Sequence, residues 1–177
     1  MRNIEQKSLS LLKEYNLDIL PVDIKKVINK LKLKLACYDL GKGVSGVLVV
    51  NKGDVKIGYS LFESEERQRF TMAHELGHYI LHCNDSENKL FVDDIKVKFR
   101  RDQSTKQEQK EEKEANIFAA SLLMPKELIN TEFNKLMKDK LILSDEEIVE
   151  KLADNFKVSS IAMTYRLINL GYMHSKF

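Results

Sequence analysis

Cysteine, proline and long apolar runs are all scarce in this chain, and each scarcity excludes something. Two cysteines in 177 residues, Cys37 and Cys83, make no disulfide framework, so a reducing compartment fits. Cys83 directly follows His82, but one thiol beside one imidazole is weak ground for a metal ligand, and a buried, idle cysteine is expected. No apolar run approaches the roughly 18 residues of a membrane span, and the N-terminus is polar and charged. Neither a signal peptide nor a transmembrane helix is expected, and a cytoplasmic location follows. No internal repeat or low-complexity tract stands out. With 43% apolar residues and only two prolines, the chain can bury a proper core in one or two domains.

Histidine is also rare, at four residues, yet two of the four fall in His74-Glu75-Leu76-Gly77-His78. Residues four apart on an α-helix lie one turn above each other, so both imidazoles can grip one metal ion. Glu75 sits about 100° round the helix, where it reaches a water that the metal activates. Neutral imidazole suits Zn²⁺, and three protein ligands leave one coordination position open for chemistry. A carboxylate can then take the proton as water attacks a carbonyl. The bland alternative is a surface helix carrying two solvated histidines.

The context favours the metal. Ser64 is a candidate N-cap, with Glu65 and Glu66 in the first turn, where the helix dipole favours acid. Phe70, Ala73, Gly77, Ile80 and Leu81 fall on one apolar arc, and Thr71, His74, Glu75, His78 and His82 on the adjoining one. This predicts a half-buried helix over about 64–82. Gly77 costs helix stability in isolation, so its place on the buried arc predicts close approach by another element.

A third ligand is expected from a second helix. A third histidine six residues beyond His78, as metzincins carry, is absent, because that position is Asn84. Residues 111–124 read as a helix stopped by Pro125. Glu112, Asn116, Ala119 and Leu123 share one stripe of it, flanked by the small Ala115. Glu112 is the first choice of ligand and Glu111, bordering the apolar arc, the second. Glu114 projects away and is expected to be solvated. Asn116, one turn on, is placed to orient a ligand imidazole through its other ring nitrogen. His82 as a fourth ligand would close the site. A place at the helix end suits it better, with polarisation of a substrate carbonyl as a further reading. Arg67, Thr71, Tyr165 and Tyr172 are additional candidate helpers.

The run Arg69-Phe70-Thr71-Met72-Ala73-His74-Glu75-Leu76-Gly77-His78-Tyr79-Ile80-Leu81-His82, taken with Glu112 and residues 114–125, resembles the ImmA/IrrE family of metallopeptidases. The second motif matches at Glu112 and Asn116, and the likeness covers roughly residues 15–125. It implies an α+β fold: a zincin-like core whose small, partly antiparallel sheet packs on the helix of the two histidines. It also implies a zinc-dependent, cytoplasmic peptidase with a protein substrate. Members typically act on helix-turn-helix repressors of mobile elements or stress responses, often by one site-specific cut. A non-proteolytic antirepressor that binds a repressor through the same fold is the competing expectation.

Elsewhere, residues 3–15 suggest an amphipathic helix, and Pro21 the first turn of a second helix ending near Lys30. Leu33, Leu35 and Cys37 alternate as in a strand. Val47–Val50 and Val55–Tyr59 suggest two more, joined in a hairpin at Asn51-Lys52-Gly53-Asp54. Residues 83–94 are expected as loop, 95–100 as a strand and 101–111 as a polar loop at the mouth of the site. Residues 126–177 form the second expected unit, after a metallopeptidase-like unit over 1–125. Its stretch from Ser144 to Gly171 resembles a helix-turn-helix, with Lys157 where glycine is usual. Yet 126–177 holds eight Lys plus Arg against eight Asp plus Glu. Phosphate binding needs a basic face, so DNA binding is not expected as its primary role.

Overall fold

Asn51-Lys52-Gly53-Asp54 reverses the chain because both central residues adopt left-handed backbone, with φ of 44° at Lys52 and 85° at Gly53. A two-residue hairpin turn of type I′ demands this at both positions. It joins β2 (Val44–Asn51) to β3 (Asp54–Ser60) in antiparallel register, Leu48 opposite Ile57 and Val50 opposite Val55. Strand β1 (Lys34–Tyr38) runs parallel to β3, and β4 (Lys89–Asp94) closes the other edge antiparallel to β2, giving the order β1-β3-β2-β4. The computed structural model describes residues 2–83, 89–94, 105–138 and 143–174. The strand expected at 95–100 lies outside them.

Seven helices accompany the four strands among the described residues. They are α1 (Arg2–Glu14), α2 (Ile24–Lys30), α3 (Glu65–His82), α4 (Lys106–Leu123), α5 (Lys126–Lys138), α6 (Asp145–Phe156) and α7 (Ser160–Leu170). The fold is therefore mixed α+β with one small sheet. None of the described helices is long and apolar enough to cross a membrane. Strand residues Leu48, Val50, Ile57 and Tyr59 join α3 residues Met72, Ala73 and Leu76 and α4 residues Phe118, Ala119 and Leu122 in one buried cluster. Phe156, Met163 and Leu167 from α6 and α7 extend that cluster.

Four expectations need correction. Pro21 precedes α2 instead of opening it. Asp23 takes the N-cap, its carboxylate accepting from Lys26 N at 3.0 Å, so the helix begins at Ile24. Residues 89–94 pair with β2 and are strand, not loop; consecutive Leu90, Phe91 and Val92 show no alternation to announce one. The charged run before Glu112 is helical from Lys106. Thr105 and Glu108 form a reciprocal capping box that fixes the start, although residues 106–110 are exposed and carry no apolar period. Finally, α3 is not half-buried at the motif: every residue from Thr71 to His78 is buried.

Candidate metal centre

Helix α3 starts where its sequence says it should, with Ser64 Oγ accepting from Arg67 N at 3.3 Å. Helix α4 then lies against it at the glycine. A Cβ on Gly77 would stand 3.2 Å from Ala115 Cα, Ala115 O and Phe118 Cβ. Glycine at 77 and alanine at 115 thus set how closely the two backbones approach. That approach carries Glu112, one turn N-terminal to Asn116, to the paired imidazoles.

The result is a compact trio. His74 Nε2 and His78 Nε2 lie 3.0 Å apart. Glu112 Oε1 stands 3.1 Å from His78 Nε2, and Glu112 Oε2 3.7 Å from His74 Nε2. His74 and His78 are buried, while the Glu112 side chain keeps 31% exposure, so the trio opens to solvent on the α4 side. Among the described residues, these are the side chains that gather as possible ligands of one ion. Glu111 does not join them; its Oε1 accepts from Gln107 Nε2 at 2.7 Å.

The donor chemistry fits a divalent metal. Tetrahedral Zn²⁺ with ligand bonds of about 2.0–2.2 Å separates its donors by roughly 3.3 Å, and two histidines with one glutamate form a hydrolase-type set. The observed separations bracket that spacing. Each imidazole is held from behind by a different device. His74 Nδ1 lies 3.2 Å from Asn116 Oδ1, leaving Nε2 as its metal-facing atom. His78 Nδ1 finds no hydrogen-bond partner among the described residues, but the Phe91 ring stacks on the imidazole at 4.5 Å and 26°.

Glu75 is buried beside β2. A Cβ on Gly46 would lie 2.8 Å from Glu75 Oε1 and would collide with the Thr71 methyl, so only glycine leaves room there. Gly46 and Phe91 were not singled out from the sequence. An isolated glycine inside a strand pattern is a general sign of close approach and marks the first; Phe91 gave no such sign.

The remaining candidates scatter. His82 lies outside the trio, its ring 5.8 Å from that of His78 and its Nε2 3.8 Å from Glu114 Oε2. Burial pushes the His82 imidazole below its ordinary pKa, against the opposing carboxylates of Glu111 and Glu114. Glu114 is thus half-buried against His82, not solvated as its wheel position suggested. Thr71 packs one turn before Glu75, and Arg67 donates to Ser45 Oγ at 3.3 Å. Tyr172 bonds Asn130 on α5, away from the trio. Tyr165 and Arg67 both line an open cleft of about 910 Å³ that also reaches Phe70, Glu112 and Asn116.

A buried His-Glu-x-x-His helix, a glutamate on a second helix and a small mixed sheet together define a metallopeptidase-type domain. The Peptidase_M78 model, described as the IrrE N-terminal-like domain, matches residues 57–168. The chain belongs to the ImmA/IrrE family.

Among individual proteins, it is 25% identical over 170 residues to metallopeptidase ImmA of Bacillus subtilis (strain 168), covering 96% of this chain and 87% of that one. The solved structure of a Mycobacterium tuberculosis transcriptional regulator shares the fold, with a TM-score of 0.62 at 12% identity. That match covers 95% of this chain but 47% of the regulator, so the chain spans about half its length.

Proposed function

We propose that the chain is a zinc-dependent site-specific endopeptidase whose substrate is a helix-turn-helix repressor of a mobile element or stress response, acting in the cytoplasm. The observation that carries this reading is the convergence of His74, His78 and Glu112 within 3.0–3.7 Å, with Glu75 buried on the same helix. In this reading residues 1–125 form a zincin-like core, and 126–177 a helix-turn-helix-like segment whose main role is not DNA binding. Lys157 supports the likeness by taking left-handed backbone, φ 53°, at the turn between α6 and α7. The kinship to ImmA supports the peptidase activity, and Cys37 and Cys83, which form no disulfide, suit a reducing compartment.

His74, His78 and Glu112 would hold the ion, and Asn116 would fix the tautomer of His74. Zn²⁺ there supplies Lewis acidity, lowering the pKa of a water and polarising the scissile carbonyl. Glu75 accepts the proton of the attacking water and returns it to the departing amine. Its burial favours both transfers, because the carboxylate exchanges a proton without reorganising bulk solvent.

The test is incubation with repressors encoded nearby, read by mass spectrometry, using wild type, Glu75→Gln and wild type with chelator. Fragments are expected from wild type alone. Identical fragments in all three refute proteolysis by this site. An intact repressor that nonetheless loses its operator equally with wild type and Glu75→Gln would establish the antirepressor instead.

A further inference from the structure

The cleft beside Glu112 has two unlike walls. Along α4 it runs from Gln109 to Met124, about 22 Å at roughly 1.5 Å per residue. Across from this, α7 presents Ile161 and Tyr165, one helical turn apart and 71% and 66% exposed. Two large apolar side chains left in water inside a concave site gain most when a ligand covers them. Phe70, which lines the same cleft, stacks near His74 at 6.4 Å, so the apolar surface continues to the trio.

The peptidase reading decides the form of the occupant. Inside a helix each carbonyl accepts from the N–H four residues on and the side chains sheathe the backbone, so no interior carbonyl can be offered to an ion held by the trio. An extended chain crosses the same distance in about six or seven residues at roughly 3.3 Å each.

We propose that the cleft takes an extended peptide segment of about six residues, with one large apolar side chain seated against Ile161 and Tyr165. The inference rests on the peptidase reading and deepens it. The preferred target is then an unfolded or linker stretch, and the C-terminal helix α7 sets its specificity. Ile161 and Tyr165 are recognition residues and take no part in the proton transfers.

The experiment uses the full chain with Glu75→Gln, loaded with zinc, and fluorescent nine-residue peptides of Gly, Ser and Lys with one guest position. Phe and Leu guests are expected to bind about tenfold or more tightly than Ser or Asp guests. Ile161→Asp and Tyr165→Asp should remove that preference at unchanged zinc content. The milder Ile161→Ser and Tyr165→Ser, checked for an unchanged melting curve, should do so in part. A Phe-guest peptide locked as a helix should bind about tenfold more weakly than its flexible counterpart. The proposal is overturned if no peptide binds, if guests bind alike, if the preference survives both Asp changes, or if the locked helix binds equally well. A wild-type chain that leaves every repressor encoded nearby intact while the guest preference holds would sink the peptidase reading and leave the recognition surface standing.

Discussion

Asn116 Oδ1 lies 3.2 Å from His74 Nδ1, joining the second helix to the first through the back of an imidazole. The contact selects the tautomer of His74 that carries its proton on Nδ1 and frees Nε2. Partners of this kind typically contribute 10–100-fold in metal affinity. Asn116→Ala should weaken zinc binding by about that factor, measured by competition with a chromogenic chelator, while the melting temperature of the metal-free chain changes little.

The two glycines make a contrasting pair. Gly77→Ala adds helix propensity worth about 1 kcal/mol, but its methyl meets Ala115 backbone at 3.2 Å. Backbone cannot swing aside, so we predict a net loss of about 1–2 kcal/mol in urea unfolding and weaker metal binding as α4 is pushed back. Gly46→Ala instead meets side chains, Thr71 and Glu75. It should leave zinc stoichiometry intact and depress turnover by displacing the Glu75 carboxylate.

Arg166 ties three elements together. Its Nε donates to Met124 O at 3.0 Å and its Nη1 to Glu5 Oε1 at 2.6 Å, linking α7 to the end of α4 and to α1. The guanidinium is buried, but Glu5 keeps 32% exposure, which lowers the pair's worth below that of a fully buried one. Arg166→Ala should cost about 1–3 kcal/mol in denaturant unfolding. Arg166→Lys should recover little, since one ammonium cannot reproduce the fork.

Acid should expose the cap of α2. Burial raises the Asp23 pKa, but hydrogen bonds from Lys26 and the nearby charges of Lys26 and Arg69 outweigh it, and the value falls below 3.8. A depressed carboxyl pKa stabilises the fold above the unfolded value and is lost as pH falls through the folded one. Asp23→Ala should therefore cost about 1 kcal/mol at neutral pH. Its difference from wild type should shrink as pH drops below 3.8, followed by urea unfolding at each pH.

Local chemistry made much of this readable beforehand. The cap at Ser64, the hairpin at Lys52-Gly53 and the close approach at Gly77 are each written in a few neighbouring residues, and the meeting of Glu112 with both imidazoles in the stripes of two helices. What escaped depends on partners distant in sequence. Strand β4 becomes a strand by pairing with β2, and the first turns of α4 are too exposed to show an apolar period. Complete burial of Thr71–His78 needs the sheet on one side and α4 on the other, which no wheel of α3 contains. Glu114 faces His82 for the same reason: the two helices must already be packed before the wheel of α4 has a direction.

In the proposed site three side chains from two helices bind one ion, and Glu75, outside the ligand set, moves the proton. Zinc stoichiometry and affinity, with X-ray absorption to count imidazoles, test it most directly across wild type, His78→Ala, Glu112→Ala, Glu75→Gln and His82→Gln. One zinc per chain with two imidazoles is expected, with binding lost in His78→Ala, sharply weakened in Glu112→Ala, and unchanged in Glu75→Gln and His82→Gln. Undiminished binding in Glu112→Ala, or a third imidazole that disappears with His82, would contradict it.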